Sequence, residues 1–241
     1  MTDDALARSI AEEAGRLLLA VRAEGLTGRA LGDEGDRRAN ALILTRLAAS
    51  RPEDAVLSEE AADDPARLAL SRVWIVDPLD GTREYAEGRD DWAVHVALSV
   101  GGRPGPGAVA LPALGRTHAT DDPAPPPPPP RQPRMVVSRT RAPALATRVA
   151  AALDAELVPM GSAGAKAMAV VSGEADIYLH AGGQSEWDNC APAAVALAHG
   201  LHASRVDGSA LRYNNADVHV PDLLICRAEW AERVLALARA G

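Results

Sequence analysis

The residues best suited to chemistry lie in one stretch, Trp74-Ile75-Val76-Asp77-Pro78-Leu79-Asp80-Gly81-Thr82. Val73–Val76 reads as a buried strand that delivers Asp77 at its end. Pro78 then stops the strand, and the following residues turn. Asp77 and Asp80 lie three positions apart across that turn and can point at a common centre. Gly81 allows close backbone approach, and Thr82 can open a helix whose free N–H groups face the same place. Two carboxylates beside an anion-binding helix start suit a metal-bridged phosphate. The spacing alone is equally that of an Asx-Pro turn closed by Asp-Gly, with no chemistry.

Other carboxylates sit at element ends. Glu59-Glu60 follows a short strand at Val56–Ser58. Asp36 reads as the N-cap of a helix, and Asp188, with Pro192 in the first turn behind it, reads as another. Each has an adequate structural reason to be where it is; four such ends offering carboxylates suit a divalent cation but do not by themselves establish one.

The elements that must position these residues follow from hydrophobic period. Leu6, Ile10, Leu17, Leu18 and Val21 form a helical stripe, capped by Thr2, favoured at its positive end by Asp3 and Asp4, and left at Gly25. A second helix is expected from Asp36, burying Leu42, Ile43 and Leu47 and ending before Pro52. Val94, Val96 and Leu98 alternate in a strand over Trp92–Val100, and Gly107–Leu111 with Arg116–Thr120 reads as a hairpin. Pro123–Pro133, almost all proline between Pro125 and Pro130, can join neither a helix nor a sheet interior and reads as a stiff polyproline connector rather than an SH3-type ligand. Beyond it, strands at Met135–Ser138, near Leu157, and at Asp176–His180, Ala203–Val206 and Leu223–Cys226 alternate with helices at Ala142–Leu153, Ala163–Ser172, Asp188–His199 and Glu229–Arg239. The order predicts a layered α/β fold, with an N-terminal α+β domain over 1–134 and a C-terminal α/β domain over 135–241.

Composition narrows the function. The 241 residues are 47% hydrophobic and 24% charged, in the range of a globular chain. With no Phe, the core must be aliphatic and rich in Ala. A net charge of −8 argues against a nucleic-acid surface, which needs clustered Lys and Arg. Cys190 and Cys226 lie far apart without metal-ligand companions, so a zinc site is not expected and two buried free thiols are. Met1–Glu13 carries Asp3, Asp4, Glu12 and Glu13 rather than a signal peptide, and no apolar run is long enough to span a bilayer. A cytoplasmic protein with no membrane partner is the expectation.

Glu59-Glu60, followed by Asp77-Pro78-Leu79-Asp80-Gly81-Thr82-Arg83-Glu84-Tyr85, resembles the first signature of the inositol monophosphatase superfamily. Glu186-Trp187-Asp188-Asn189-Cys190-Ala191-Pro192-Ala193 resembles the second. Val137-Ser138-Arg139-Thr140 and Gly161–Lys166, leading into Ser172–Tyr178, are similar to the bisphosphate nucleotidases of the CysQ type. The resemblance implies an α-β-α-β-α sandwich and a Mg²⁺-dependent phosphomonoesterase that removes the 3′-phosphate of adenosine 3′,5′-bisphosphate by direct attack of water. Inositol monophosphate and fructose 1,6-bisphosphate are the alternative substrates, and an inactive phosphate-binding scaffold is the reading outside enzymes.

By the same resemblance, Glu59, Asp77 and the Leu79 carbonyl would hold one Mg²⁺, and Asp77, Asp80 and Asp188 a second, sensitive to displacement by Li⁺. Asp36 would orient the attacking water with Thr82 and help hold a weaker third ion. Gly81 and Thr82 would receive the phosphate, and Glu60 is left without a metal contact. Lys166 and His180 would face the far end of the substrate, with Arg139 and Arg141 within reach of a second phosphate or the base. Ser162 precedes Ala163, which stands where the nucleotidases carry Ser. The partner implied is a small phosphorylated substrate, bound by a monomer or homodimer.

Overall fold

The computed structural model describes residues 1–240. Two long helices open the chain, α1 (Asp3–Arg22) and α2 (Gly28–Ser50). A first sheet follows in the order β1-β2-β3-β4-β5, from β1 (Ala55–Ser58), β2 (Arg72–Asp80), β3 (Ala93–Val100), β4 (Arg103–Leu111) and β5 (Arg116–Ala119). Only β1 and β2 pair in parallel; the other neighbours are antiparallel. The short helix α3 (Thr82–Ala86) leaves the end of β2.

The second sheet has the order β7-β6-β8-β10-β9. It contains β6 (Arg134–Ser138), β7 (Glu156–Met160), β8 (Ile177–Ser185), β9 (His202–Ser204) and β10 (His219–Cys226). Its helices are α4 (Ala144–Leu153), α5 (Ala163–Val171), α6 (Glu186–Ala198) and α7 (Ala228–Arg239).

Strand alternation produces the layers. Trp74 and Val76 of β2 and Val94, Val96 and Leu98 of β3 pack on Leu6, Ile10, Leu18, Ile43 and Leu47 of α1 and α2. On the opposite face Val73, Ile75, Ala97 and Val109 meet α5 and α6. The same cluster takes in Tyr178, Leu223 and Ile225, one face of the second sheet. The other face of that sheet, Met135, Val137, Ile177, Leu179 and Leu224, is covered by α4 and α7. The result is five layers, α-β-α-β-α, as the resemblance implies. Because α5 and α6 are squeezed between two sheets, they bury residues all round, and Ala at 165, 167, 191, 193 and 196 lets the layers approach.

Three local expectations are corrected. α2 begins at Gly28, not at Asp36, so Asp36 lies inside the helix rather than capping it. Glycines at 32 and 35 hide the early turns from a propensity reading, and packing explains them: a Cβ on Gly32 would lie 2.7 Å from Thr82 Cγ2, and one on Gly35 3.1 Å from Leu18 and from Tyr85. Strand β2 does not stop at Pro78 but continues to Asp80. Asp188 is not the N-cap of α6; Ser185 is, and Asp188 sits three residues inside as the reciprocal member of a capping box. The proline run lies outside every helix and strand, with the Pro127 carbonyl accepting from Arg227 Nη2 at 2.6 Å. Both cysteines are buried and free. No described helix is long and apolar enough to cross a membrane.

Candidate active site

The end of β2 carries a bulge. Asp77 pairs with His95 and Asp80 with Ala93, so Pro78 and Leu79 together oppose Val94 alone. A proline is tolerated there because no ladder N–H is needed from it. The looped backbone brings Asp77 and Asp80 to the same side, and the Leu79 N–H donates to Asp77 Oδ1 at 3.0 Å. Gly81 follows with φ +86°, a left-handed conformation that a side chain would strain, and α3 starts at Thr82 without a side-chain cap. Its first N–H groups therefore remain for an outside acceptor.

Asp188 comes from the other half of the chain. The Ser185 N–H donates to its Oδ2 at 2.6 Å, which fixes the carboxylate at the amino end of α6. Asp77, Asp80 and Asp188 each offer an oxygen, and these oxygens lie within 4.8 Å of one another. Three carboxylates at that separation are a donor set for a hard divalent cation.

The electrostatics agree. Burial, then the charges of Asp80, Glu59 and Asp188, push the Asp77 carboxyl well above the usual range. Burial, and then Asp80, raise Asp188 to about 6. Glu59, just beyond β1, is exposed as a residue and lies outside that cluster, but its carboxyl is raised to about 7 by desolvation and by Asp188. Such a set is strained without a compensating positive charge. Asp80 is the exception. Although burial opposes ionisation, His95, Ser162 and the backbone of α5 hold its carboxyl below the usual range. Oδ2 accepts from Ser162 Oγ and from the Gly164 N–H at 2.6 Å, whereas Oδ1 accepts only from the Ala163 N–H at 3.1 Å. One lone pair of Oδ1 is thus left for a cation.

Asp36 faces this group from inside α2. Thr82 Oγ1 lies 3.3 Å from Asp36 Oδ2 and 3.0 Å from the Leu79 carbonyl, so the hydroxyl can donate to either. Desolvation, then Glu60 and Glu59, raise Asp36 to about 7, where it exchanges a proton near neutrality. Glu60 is exposed.

The residues expected at the far end of the substrate are placed less uniformly. Ser162 caps α5, its Oγ accepting from the Ala165 N–H while donating to Asp80. Lys166 is 6% exposed, and its Nζ donates to the carbonyls of Gly161 at 3.2 Å and Ser162 at 2.5 Å. His180 has a ring nitrogen 3.1 Å from the Gly183 carbonyl, and burial lowers its pKa, disfavouring the charged form. Arg139 is engaged by Glu84 at 2.7 Å and Glu87 at 2.6 Å, and Arg141 is exposed. His95 was not singled out from the sequence. It is completely buried, with Nδ1 2.9 Å from the Trp187 carbonyl and Nε2 3.3 Å from Asp80 Oδ2. Burial lowers its pKa, but Asp80 outweighs that and the net shift is upward. The available signal was a polar residue on the second face of a strand whose first face is Val94, Val96 and Leu98.

The profile of the Inositol monophosphatase family matches residues 4–122 and 132–240. A Mycobacterium leprae protein named 3′-phosphoadenosine 5′-phosphate phosphatase is 53% identical over 255 aligned residues, covering 99% of this chain and 94% of that protein. One of the same name from Mycobacterium bovis is 57% identical over 235, covering 92% and 88%. Among solved structures, CysQ of Bacteroides thetaiotaomicron, described as a bacterial member of the inositol monophosphatase family, superposes with a TM-score of 0.80 at 25% identity, covering 93% of this chain and 96% of its own. With its signature residues gathered at one site and both halves matched, the chain belongs to the inositol monophosphatase family.

Proposed function

We propose that the protein is a Mg²⁺-dependent phosphatase that converts adenosine 3′,5′-bisphosphate to the 5′-monophosphate and inorganic phosphate. The observation that carries the chemistry is the convergence of Asp77 and Asp80, from β2, with Asp188, from α6, within 4.8 Å. The substrate rests on the relatives at 53% and 57% identity named for that activity.

Asp77, Asp80 and Asp188, joined by Glu59 and the Leu79 carbonyl, would hold the cations; their raised carboxyls are the environment in which a divalent ion fits. Bound there, Mg²⁺ supplies neutralising charge to the phosphoryl group and makes water a stronger nucleophile. The chain does the rest. Backbone N–H groups at Gly81 and Thr82 receive the phosphoryl oxygens. Asp36, raised to about 7, accepts the water proton through the Thr82 hydroxyl. Asp80 stays ionised because its donors hold it so. Lys166 and His180, with Arg139 and Arg141, would face the remainder of the substrate, and Ser162 holds the amino end of α5 against Asp80. No side chain forms a covalent intermediate.

The test is phosphate release from adenosine 3′,5′-bisphosphate, inositol 1-phosphate and fructose 1,6-bisphosphate, with Mg²⁺ and with excess EDTA. The bisphosphate nucleotide should give the highest kcat/KM by at least about tenfold, the scale of a single well-placed contact, and EDTA should abolish turnover. Activity that survives chelation would sink the metal reading, and a preference for inositol 1-phosphate would sink the substrate assignment.

A further inference from the structure

We propose that His95 is a positioning residue that ties Asp80 to the amino end of α6 and so sets the spacing of the carboxylates that hold the cation. This rests on the metal reading above and extends it to a residue outside the ligand set.

Asp80 and Asp188 arrive on different elements, β2 and α6, and belong to different halves of the chain. The imidazole stands between them. Its Nδ1 is 2.9 Å from the carbonyl of Trp187, the residue before Asp188. A carbonyl only accepts, so that nitrogen carries the hydrogen and the ring orientation is fixed. Its Nε2, fully buried, lies 3.3 Å from Asp80 Oδ2 in a charge contact and makes no aligned hydrogen bond to any group. One ring thus reaches the carboxylate of one half and the helix end that carries the carboxylate of the other. Ligating groups are commonly held in this way by a neighbour that does not itself touch the metal, and losing such a neighbour typically weakens metal affinity about 10–100-fold.

The surroundings are shaped around this ring. Gly164 donates its N–H to Asp80 Oδ2 at 2.6 Å. A Cβ on Gly164 would overlap His95 Nε2 and lie 2.9 Å from Ala93 Cβ, so α5 reaches Asp80 past the imidazole only because this residue is Gly. Ring, glycine and carboxylate therefore form one packed unit. A ring that merely filled space would need neither the Nδ1 hydrogen bond to Trp187 nor a placement of Nε2 against a carboxylate.

Two variants separate the arms of the ring. His95→Gln extends an amide to the Nε2 position and keeps the link to Asp80. His95→Asn is shorter, matches Nδ1 and keeps only the link to Trp187. Isothermal titration of metal-free protein with Mg²⁺, and with Mn²⁺ as a second probe, reads the consequence without turnover. Because each variant cuts one end of the tie, both should bind at least about tenfold more weakly than wild type. The melting temperatures of the two metal-free variants should agree within a few degrees. An affinity within about threefold of wild type in either variant overturns the proposal, since one arm alone would then suffice and there is no tie, and failure of both variants to fold overturns it by making His95 a structural residue only. Absence of binding by the wild type is a different failure. It removes the metal reading, and this proposal with it.

Discussion

Replacing Gly32 by Ala should separate catalytic geometry from stability. Gly32 lies on α2 beneath Thr82, and an added Cβ would sit 2.7 Å from Thr82 Cγ2, where ordinary contact begins at 3.4 Å. Thr82 must therefore retreat by about 0.7 Å, the difference of those two distances. Its hydroxyl stands 3.3 Å from Asp36 Oδ2, and the same retreat takes that contact to about 4 Å, beyond hydrogen-bond range. In the helix itself Ala is favoured over Gly by about 1 kcal/mol. Pushing one methyl aside costs about 1–3 kcal/mol. The two effects oppose each other, so net stability changes by no more than about 2 kcal/mol.

Catalysis has no such offset. A displacement near 1 Å in a positioning group can cost about 100-fold in rate. Phosphate release at saturating Mg²⁺ should therefore fall between about 10- and 100-fold in Gly32→Ala, while the thermal midpoint moves only a few degrees. Thr82→Ser supplies the control, because it keeps the hydroxyl and removes the methyl that would clash. Gly32→Ala placed in the Thr82→Ser background should cost less than about threefold relative to Thr82→Ser alone. Full activity in Gly32→Ala, or the same loss in both backgrounds, would refute the reasoning.

Asp77→Asn removes the carboxyl most strongly opposed to ionisation, so the metal-free protein should melt a few degrees higher, the stabilisation by Mg²⁺ should vanish, and turnover should fall about a thousandfold; calorimetry with an activity assay checks all three. His118, whose buried Nε2 lacks a partner, has its pKa lowered from 6.5 to about 4 by burial and by His199. Its folded pKa lies below the unfolded one, so stability is intact above pH 6.5 and is lost as pH falls toward 4, by about 3 kcal/mol. In urea unfolding across that window, His118→Leu should lose correspondingly less than wild type, and parallel curves would count against the assignment. His180→Glu should raise KM for adenosine 3′,5′-bisphosphate by about tenfold or more and leave KM for inositol 1-phosphate nearly unchanged, since a carboxylate repels a second phosphate. Because burial lowers the His180 pKa, any improvement of KM through its charge belongs at acidic pH, below neutrality.

How much of this was legible in the sequence depended on whether a residue's reason for being there lay nearby in the chain. Asp77, Asp80, Gly81 and Thr82 are adjacent, and their turn chemistry is local, so the cluster and the start of α3 are readable as they stand. The alternation of Val94, Val96 and Leu98 likewise gives β3 and its outer face. Pro78 misleads because a strand-ending residue is tolerated inside a bulge, and a bulge is defined by the neighbouring strand. Gly32 and Gly35 mislead for the same kind of reason: their cost to helix propensity is local, whereas the packing on Thr82, Tyr85 and Leu79 that requires them is not. Asp36 consequently reads as a cap although it lies inside α2.

His95 is the extreme case, since its hydrogen-bond partner, Trp187, is distant in the chain and its other contact, Asp80, is met only through the pairing of β3 with β2. The division has a physical consequence for the site. The groups visible locally are the carboxylates, which repel one another and raise one another's pKa values. Of the groups that were not visible, Gly164 and His95 sit where α5 and α6 meet β2 and β3 beside Asp80, and Gly32 lets α2 approach Thr82. Carboxylates brought together against their charge need a rigid frame, and here it is the Ala-rich pair α5 and α6, buried between the sheets. A cation binding between Asp80 and Asp188 would therefore bridge β2 and α6, so metal affinity and the packing of that central layer on the first sheet should rise and fall together.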